Sequence, residues 1–290
     1  MSNVSQRPLF NRIAVIGVGL IGGSLARACR DGIARRVIGL DVEQTHLQHA
    51  LSLGLVDQAD DLPTGVEGAD LVVVAVPVGA IMGVVRAIAP HLGAECTVTD
   101  VGSVKGDLVA EVEAEIPAGR MYIGGHPIAG TERSGPEAAR AGLFRDSLCV
   151  LTPTSRTAVD ALGKVTRLWE EVGSRVVLMD PFLHDRIFAL VSHLPHLVAY
   201  ALMSTLPSLA EEGDEILRFS AGGLRDFTRI AASDPTMWRD ILIRNRKEVL
   251  ESITVFQKVL HRFEEMIRTQ DAVRLMEEFQ RAKEMREQLR

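Results

Sequence analysis

The sequence is poor in the residues on which several common functions depend. Aromatic side chains make up 4% of its 290 residues, too few for the stacking platforms that bind single-stranded nucleic acid. Positive charge is also short. The 32 Lys and Arg stand against 38 Asp and Glu, a formal net charge of −6, which argues against a general DNA or RNA binder. The three cysteines, Cys29, Cys96 and Cys149, are odd in number, widely spaced and form no C-x-x-C pair. Neither a disulfide framework nor a zinc knuckle is indicated, and reduced thiols in a cytosol are expected. The longest apolar run, residues 71–85, is broken by Pro77 and two glycines and is too short to span a bilayer. The opening MSNVSQRPLF lacks the apolar core of a signal peptide. The expectation is a cytoplasmic protein with no nucleic-acid and no membrane partner.

Hydrophobic residues at 47% and charged residues at 24% are those of an ordinary globular chain, and its length suits one large or two modest domains. Charge is unevenly spread: residues 218–290 carry 15 basic and 12 acidic side chains. A locally positive C-terminal part suits a small anion, although solvated helix faces give the same count.

Up to about residue 180 the pattern alternates. Short β-branched runs at residues 12–17, 36–41, 70–77, 96–101, 121–124, 148–152 and 175–179 are mostly separated by helix-like segments such as residues 20–30. Such alternation predicts βαβ crossovers and a mainly parallel sheet covered on both faces. The run LVVVAV is apolar throughout, as a strand buried on both sides requires. At Asp180-Pro181 the texture changes to long helical patterns, with Asp180 suited to cap a helix and Pro181 to its first position. Val249, Ile253, Phe256, Leu260, Phe263 and Ile267 then form one apolar stripe, and Asp271 offers a cap for a last helix. The stripe fits packing inside its own domain or against a second subunit. The predicted architecture is an α/β Rossmann-type dinucleotide-binding domain (residues 1–180) followed by an all-α helical domain (residues 181–290).

Gly17, Gly19 and Gly22, with Leu20 and Ile21 between the last two, form a G-x-G-x-x-G directly after the strand RIAVIG and at the start of a helix, the context this motif needs. Gly17 permits the tight turn, Gly19 leaves room for a pyrophosphate and Gly22 lets helix and strand approach. The helix start favours phosphate charge. Asp41 ends the next strand, where its carboxylate can accept hydrogen bonds from the adenosine ribose and repels a 2′-phosphate. Val42 and Glu43 follow it rather than a basic residue, which favours NAD over NADP. Val76 and Pro77 end the third strand in a turn that would pass the nicotinamide. Ser103 follows the fourth strand and His126 the fifth. His126, between glycines and a proline, is expected to project from a loop, where it can take a substrate hydroxyl proton as hydride leaves, with Ser103 orienting its ring. The residues alone leave a structural loop histidine equally open. His193 and His196 form an H-x-x-H without an evident third ligand, so no metal is expected.

The segments GVGLIGGS, DVGSVK, GGHPIAGTERSG, SHLPH and GGLRDFTRIAASDPTMW occur in this order. In them the chain resembles the prephenate/arogenate (cyclohexadienyl) dehydrogenase family of tyrosine biosynthesis, from about residue 12 to Asp240. The last four segments are far more specific than a glycine turn. Leu224 stands where Phe is expected, a change of packing rather than chemistry. The resemblance implies oxidative decarboxylation of prephenate or arogenate, with hydride transfer to NAD. It implies catalytic roles for His126 and for Ser103, which would also meet the cofactor. It further implies that Arg229 grips a substrate carboxylate, that Arg225 assists, and that His196, Glu132 and Thr131 border the pocket. Trp238 would lie near it, with ordinary core packing open beside that role. A small dicarboxylate is the implied substrate, and a homodimer through the C-terminal helices the implied assembly. With no regulatory ACT or chorismate mutase segment recognised, the monofunctional form is expected. Thr131 carries no charge that would select the arogenate ammonium, which leans the reading toward prephenate or dual use. Tyrosine feedback is not legible.

Two other readings compete. A β-hydroxyacid dehydrogenase shares the two-part pattern but relies on a helix lysine in its second half, where this chain has only Lys247, Lys258 and Lys283, in no matching motif. A dinucleotide-binding sensor without turnover is disfavoured by His126 standing together with two arginines.

Overall fold

The structure is a computed structural model that describes residues 8–131, 133–209 and 218–289. Among these residues the strands are β1 (Phe10–Ile16), β2 (Ala34–Leu40), β3 (Gln58–Ala59), β4 (Leu71–Val74), β5 (Thr97–Asp100), β6 (Met121–Ile128), β7 (Leu148–Thr152) and β8 (Arg175–Leu178). They form one sheet in the order β3-β2-β1-β4-β5-β6-β7-β8. Pairing is parallel throughout except between β6 and β7. Five helices accompany the sheet: α1 (Leu20–Cys29), α2 (Gln44–Ser52), α3 (Ile81–Ile88), α4 (Gly106–Glu115) and α5 (Val159–Glu171).

The central strands show why the run LVVV is uniformly apolar. Leu71 and Val73 of β4 join Ile13 and Val15 of β1 in one core, with Phe144 and Trp169. Val72 and Val74 join Ala14 and Ile16 in the other, with helix residues Ile81, Val85 and Leu108. Period-two alternation thus feeds two apolar layers, as a doubly covered sheet demands.

Two details differ from the sequence reading. The short edge strand β3 was not anticipated, because two residues carry no periodicity. His126 lies within strand β6 rather than on a loop. Beyond Ile123 the strand leaves β5 and zips antiparallel onto β7, with His126 opposite Val150 and Pro127 opposite Cys149. Pro127 is tolerated because β6 is not paired with β5 there.

After β8 the described residues form the helices α6 (Pro181–Phe188), α7 (Leu194–Leu209), α8 (Gly222–Thr228), α9 (Pro235–Arg244), α10 (Arg246–Arg268) and α11 (Ala272–Glu287). Asp180 caps α6 through the amides of Phe182 and Leu183, both at 2.9 Å. Asp234 and Asp271 cap α9 and α11 in the same way. The helical stretch Pro181–Leu206 is, by length and composition, long and apolar enough to cross a membrane. Its polar side chains have another use: His184, Asp185 and His193 are buried, bonded to the sheet domain's Lys105 amide and to Asn245 of the α9 terminus.

The chain divides into two compact units, Met1–Asn245 and Arg246–Arg290. Helices α6–α9 therefore belong with the sheet, because Trp238 and Ile241 of α9 complete one of its apolar layers. In the second unit α10 and α11 meet through the stacked rings of Phe263 and Phe279, 5.8 Å apart.

Candidate active site

The sheet reverses its winding between β1 and β4, and ligands of such folds bind beyond the carboxyl strand ends at that point. The glycine turn lies there. Gly17 has φ +89° and packs so tightly that a Cβ would strike the Ala75 carbonyl, while a Cβ on Gly22 would strike the carbonyl of Gly17. Over Gly19 there is open space. The first turn of α1 has no side-chain cap and no acidic residue, which leaves its amides for an anion. Asp41 follows β2, accepts the Val18 amide at 3.0 Å through one oxygen and the Glu43 amide at 3.0 Å through the other. Its carboxylate thus pins the glycine turn to the end of β2. Leu20 and Ile21 open α1, and a Cβ on Gly130 would touch Ile21 Cδ1, so the segment leading to Thr131 runs beside the turn. Val76 and Pro77 lie past β4, just before a 3-10 turn (Val78–Ala80) onto which Asp240 of α9 packs at Gly79. These features fit a dinucleotide.

Asp41→Asn should remove the charge and keep one of the two amide contacts, because only its remaining oxygen can accept. Like charges about 4 Å apart at a protein surface repel by about 1–4 kcal/mol. The preference for NAD over NADP, measured as the ratio of their dissociation constants, is expected to fall on the order of tenfold.

Past β5 the chain turns on a buried polar knot. Asp100 accepts from the Lys105 ammonium, from the Tyr122 hydroxyl at 2.8 Å and from the amides of Gly102 at 2.9 Å and Gly125 at 3.0 Å. The knot clamps the turn that carries Ser103 to the strand that carries His126. Among the described residues Ser103 forms no hydrogen bond to His126. The imidazole Nδ1 of His126 instead lies 2.8 Å from Nε2 of His184, whose Nδ1 is 2.8 Å from Asp185 Oδ1. Phe188 packs on both rings, at 4.6 Å and 4.4 Å. Burial, then His184, Lys105 and His193, hold the His126 pKa well below its ordinary value, so the ring is uncharged at neutral pH.

His184 and His193 are nine residues apart, about two and a half α-helical turns, which would put them on opposite faces. A π-helical turn, Ala189–His193, lies between them. Its wider winding reduces the angle between the two residues about the helix axis. Nδ1 of His193 faces the Asn245 amide at 3.1 Å. Burial leads the causes that lower its pKa to about 4. His196 stacks on Trp238 with centroids 3.7 Å apart and an interplanar angle of 20°, and its Nδ1 meets the Ser192 carbonyl at 2.9 Å. Burial lowers its pKa, and the charge of nearby Arg229 adds to this.

Of the expected site residues, the structure thus brings His196, Trp238 and Arg229 together, with the His193 ring edge-on to Trp238 at 6.1 Å. Arg225 lies on α8, and Arg229 directly follows it at the start of a 3-10 turn (Arg229–Ala232). Thr131 is exposed after β6, and Glu132 falls outside the described residues. The sequence reading did not include His184, Asp185, His193 or Asn245 in the site. The usable signal was a His-Asp pair inside an otherwise apolar helix.

A dinucleotide turn at the switch point and an uncharged imidazole two strands away define a nicotinamide-dependent dehydrogenase. Residues 24–178 match the family model of the prephenate dehydrogenase nucleotide-binding domain and residues 180–281 that of the prephenate dehydrogenase dimerization domain. The chain belongs to the prephenate dehydrogenase family. It is 37% identical over 281 residues to the cyclohexadienyl dehydrogenase of Zymomonas mobilis, 96% of each chain being covered. It also resembles the crystal structure of Aquifex aeolicus prephenate dehydrogenase in complex with hydroxyphenyl propionate and NAD+ (37% identity, TM-score 0.92, 97% of this chain and 98% of that one). A third relative is Synechocystis arogenate dehydrogenase (29% identity, TM-score 0.82, 95% and 99%). This membership disfavours the β-hydroxyacid dehydrogenase and sensor readings.

Proposed function

We propose that the protein oxidatively decarboxylates prephenate, arogenate or both, yielding 4-hydroxyphenylpyruvate or tyrosine, in the cytoplasm. The observation that carries this reading is the uncharged His126 on β6, in the same sheet whose strand β1 ends in the dinucleotide turn. NAD, when bound, supplies the hydride acceptor. His126 accepts the proton of the ring hydroxyl as its carbon loses hydride and gains carbonyl character. The electron pair of the bond to the ring carboxylate then enters the ring, carbon dioxide leaves, and His126 returns the proton to the phenolic oxygen. Ser103, on the clamped turn, is assigned to the space between this imidazole and the cofactor. Arg229 is assigned a substrate carboxylate, beside His196 and Trp238, because a guanidinium can grip it with two parallel bonds. Arg225, Thr131 and Glu132 are assigned to the rim.

Residues 1–180 would bind nucleotide and residues 181–290 would bind substrate and dimerise. Supporting a homodimer, Leu260, Ile267 and Met276 of α10 and α11 are 50%, 65% and 68% exposed, an apolar face that a single copy leaves to solvent. Steady-state assays with both substrates, and with both NAD and NADP, test the reading: absence of reduced cofactor with either substrate defeats it. In the same assay Arg229→Ala is expected to raise KM roughly 10- to 150-fold, equivalent to about 1.5–3 kcal/mol, the worth of a charge-assisted hydrogen bond. An unchanged KM would move the carboxylate anchor elsewhere.

A further inference from the structure

We infer that His184 and Asp185 are positioning residues that fix the tautomer of His126, so that Nε2 and not Nδ1 is the atom that takes the substrate proton. This rests on His126 being the base. Donors and acceptors alternate along a single line of side chains. Asp185 Oδ1 receives the Lys105 amide at 2.7 Å and faces His184 Nδ1 at 2.8 Å. A carboxylate oxygen can only accept, so His184 Nδ1 carries a proton. Neutral His184 then has a bare Nε2. At 2.8 Å from it, His126 Nδ1 must donate. A neutral imidazole has one N–H, so His126 Nε2 is left with its lone pair toward the site. The opposite tautomer would set two lone pairs against each other at 2.8 Å and present an N–H to a hydroxyl that has to lose its proton.

The line is anchored at its far end. Asp185 sits against the start of α4, so close that a Cβ on Gly106 would strike its carboxylate. The Asp185 main-chain carbonyl takes the Asn245 amide at 2.8 Å. That same amide nitrogen reaches His193 Nδ1 at 3.1 Å. Since a carbonyl only accepts, the Asn245 group there is the NH2, and His193 Nδ1 is the acceptor. The other groups facing the two rings are the Lys105–Asp100 pair, His193 and Phe188. Among the described residues no second acceptor lies on His126 Nδ1.

Nitrogen-15 NMR of the histidine-labelled full-length protein, with and without NAD, reads the tautomer directly. The expected result is a protonated Nδ1 and a bare Nε2 on His126, assigned by loss of the signal in His126→Asn. A protonated Nε2 overturns the inference whatever the kinetics. Two variants give the second readout. His184→Phe keeps the aromatic contact with Phe188 and removes the acceptor. It should mix the two tautomers and lower kcat on the order of ten- to a hundredfold, as loss of a partner that orients an imidazole does, with NAD affinity unchanged. His184→Gln places a carbonyl oxygen where Nε2 was and should restore most of kcat. Equal kcat for His184→Phe and the unsubstituted protein overturns the positioning role. Full activity of His126→Asn overturns instead the assignment of the base, so the two failures are distinguishable.

Discussion

His126→Asn is expected to lower kcat by roughly 10²–10⁴-fold, the usual worth of a positioned base, with NAD affinity nearly unchanged. Asparagine makes the cut at the right atom. Its amide can still donate to His184 Nε2, where His126 Nδ1 now sits at 2.8 Å, but nothing replaces Nε2. The pH profile supplies an independent check. Burial, and then the neighbouring His184, Lys105 and His193, press the His126 pKa well below 6.5. Only the neutral ring accepts a proton, so kcat should be flat through neutral pH and fall only as the solution is acidified below the ordinary imidazole range. A limb centred near pH 7 would mean that His126 is solvated during turnover or that another group titrates. Full activity in the asparagine variant would remove the base assignment itself.

The parts of this site that were legible in the sequence are those where one residue type has one use. Gly17 and Gly22 announce themselves because side chains there would collide with backbone. Asp180 and Asp271 cap helices as expected, since an oxygen one step before an apolar period has little else to do. What stayed hidden depends on pairing across long separations. That β6 would turn from a parallel to an antiparallel partner, carrying His126 within a strand, is set by β7. His184 is 58 residues from His126, and between it and His193 lies a π-helical turn that no period announces. The change of texture at residue 180 was real, yet the compact unit runs on to Asn245, because Trp238 and Ile241 are needed to finish a sheet layer.

Lys105→Met should destabilise the protein by about 3–5 kcal/mol, measured by chemical denaturation, because it strands the buried Asp100 charge. Lys105 and Asp100 are both fully inaccessible. Tyr122 and the amides of Gly102 and Gly125 donate to the same carboxylate, but three neutral donors do not balance a charge removed from water. The double variant Asp100→Asn with Lys105→Met removes the charge along with its partner and should be more stable than Lys105→Met alone; a sum of independent losses would mean the two side chains do not act as a pair. The same ammonium helps to keep His126 uncharged. Deleting it takes away one of the forces opposing protonation there, so the acid limb of kcat should move to higher pH in Lys105→Met. A lysine whose only task were to fill space would shift the denaturation midpoint and leave that limb where it was. Movement of both ties the knot under the Ser103 turn to the protonation state of the base: one buried cation holds the two strand ends together and keeps the imidazole between them ready to accept.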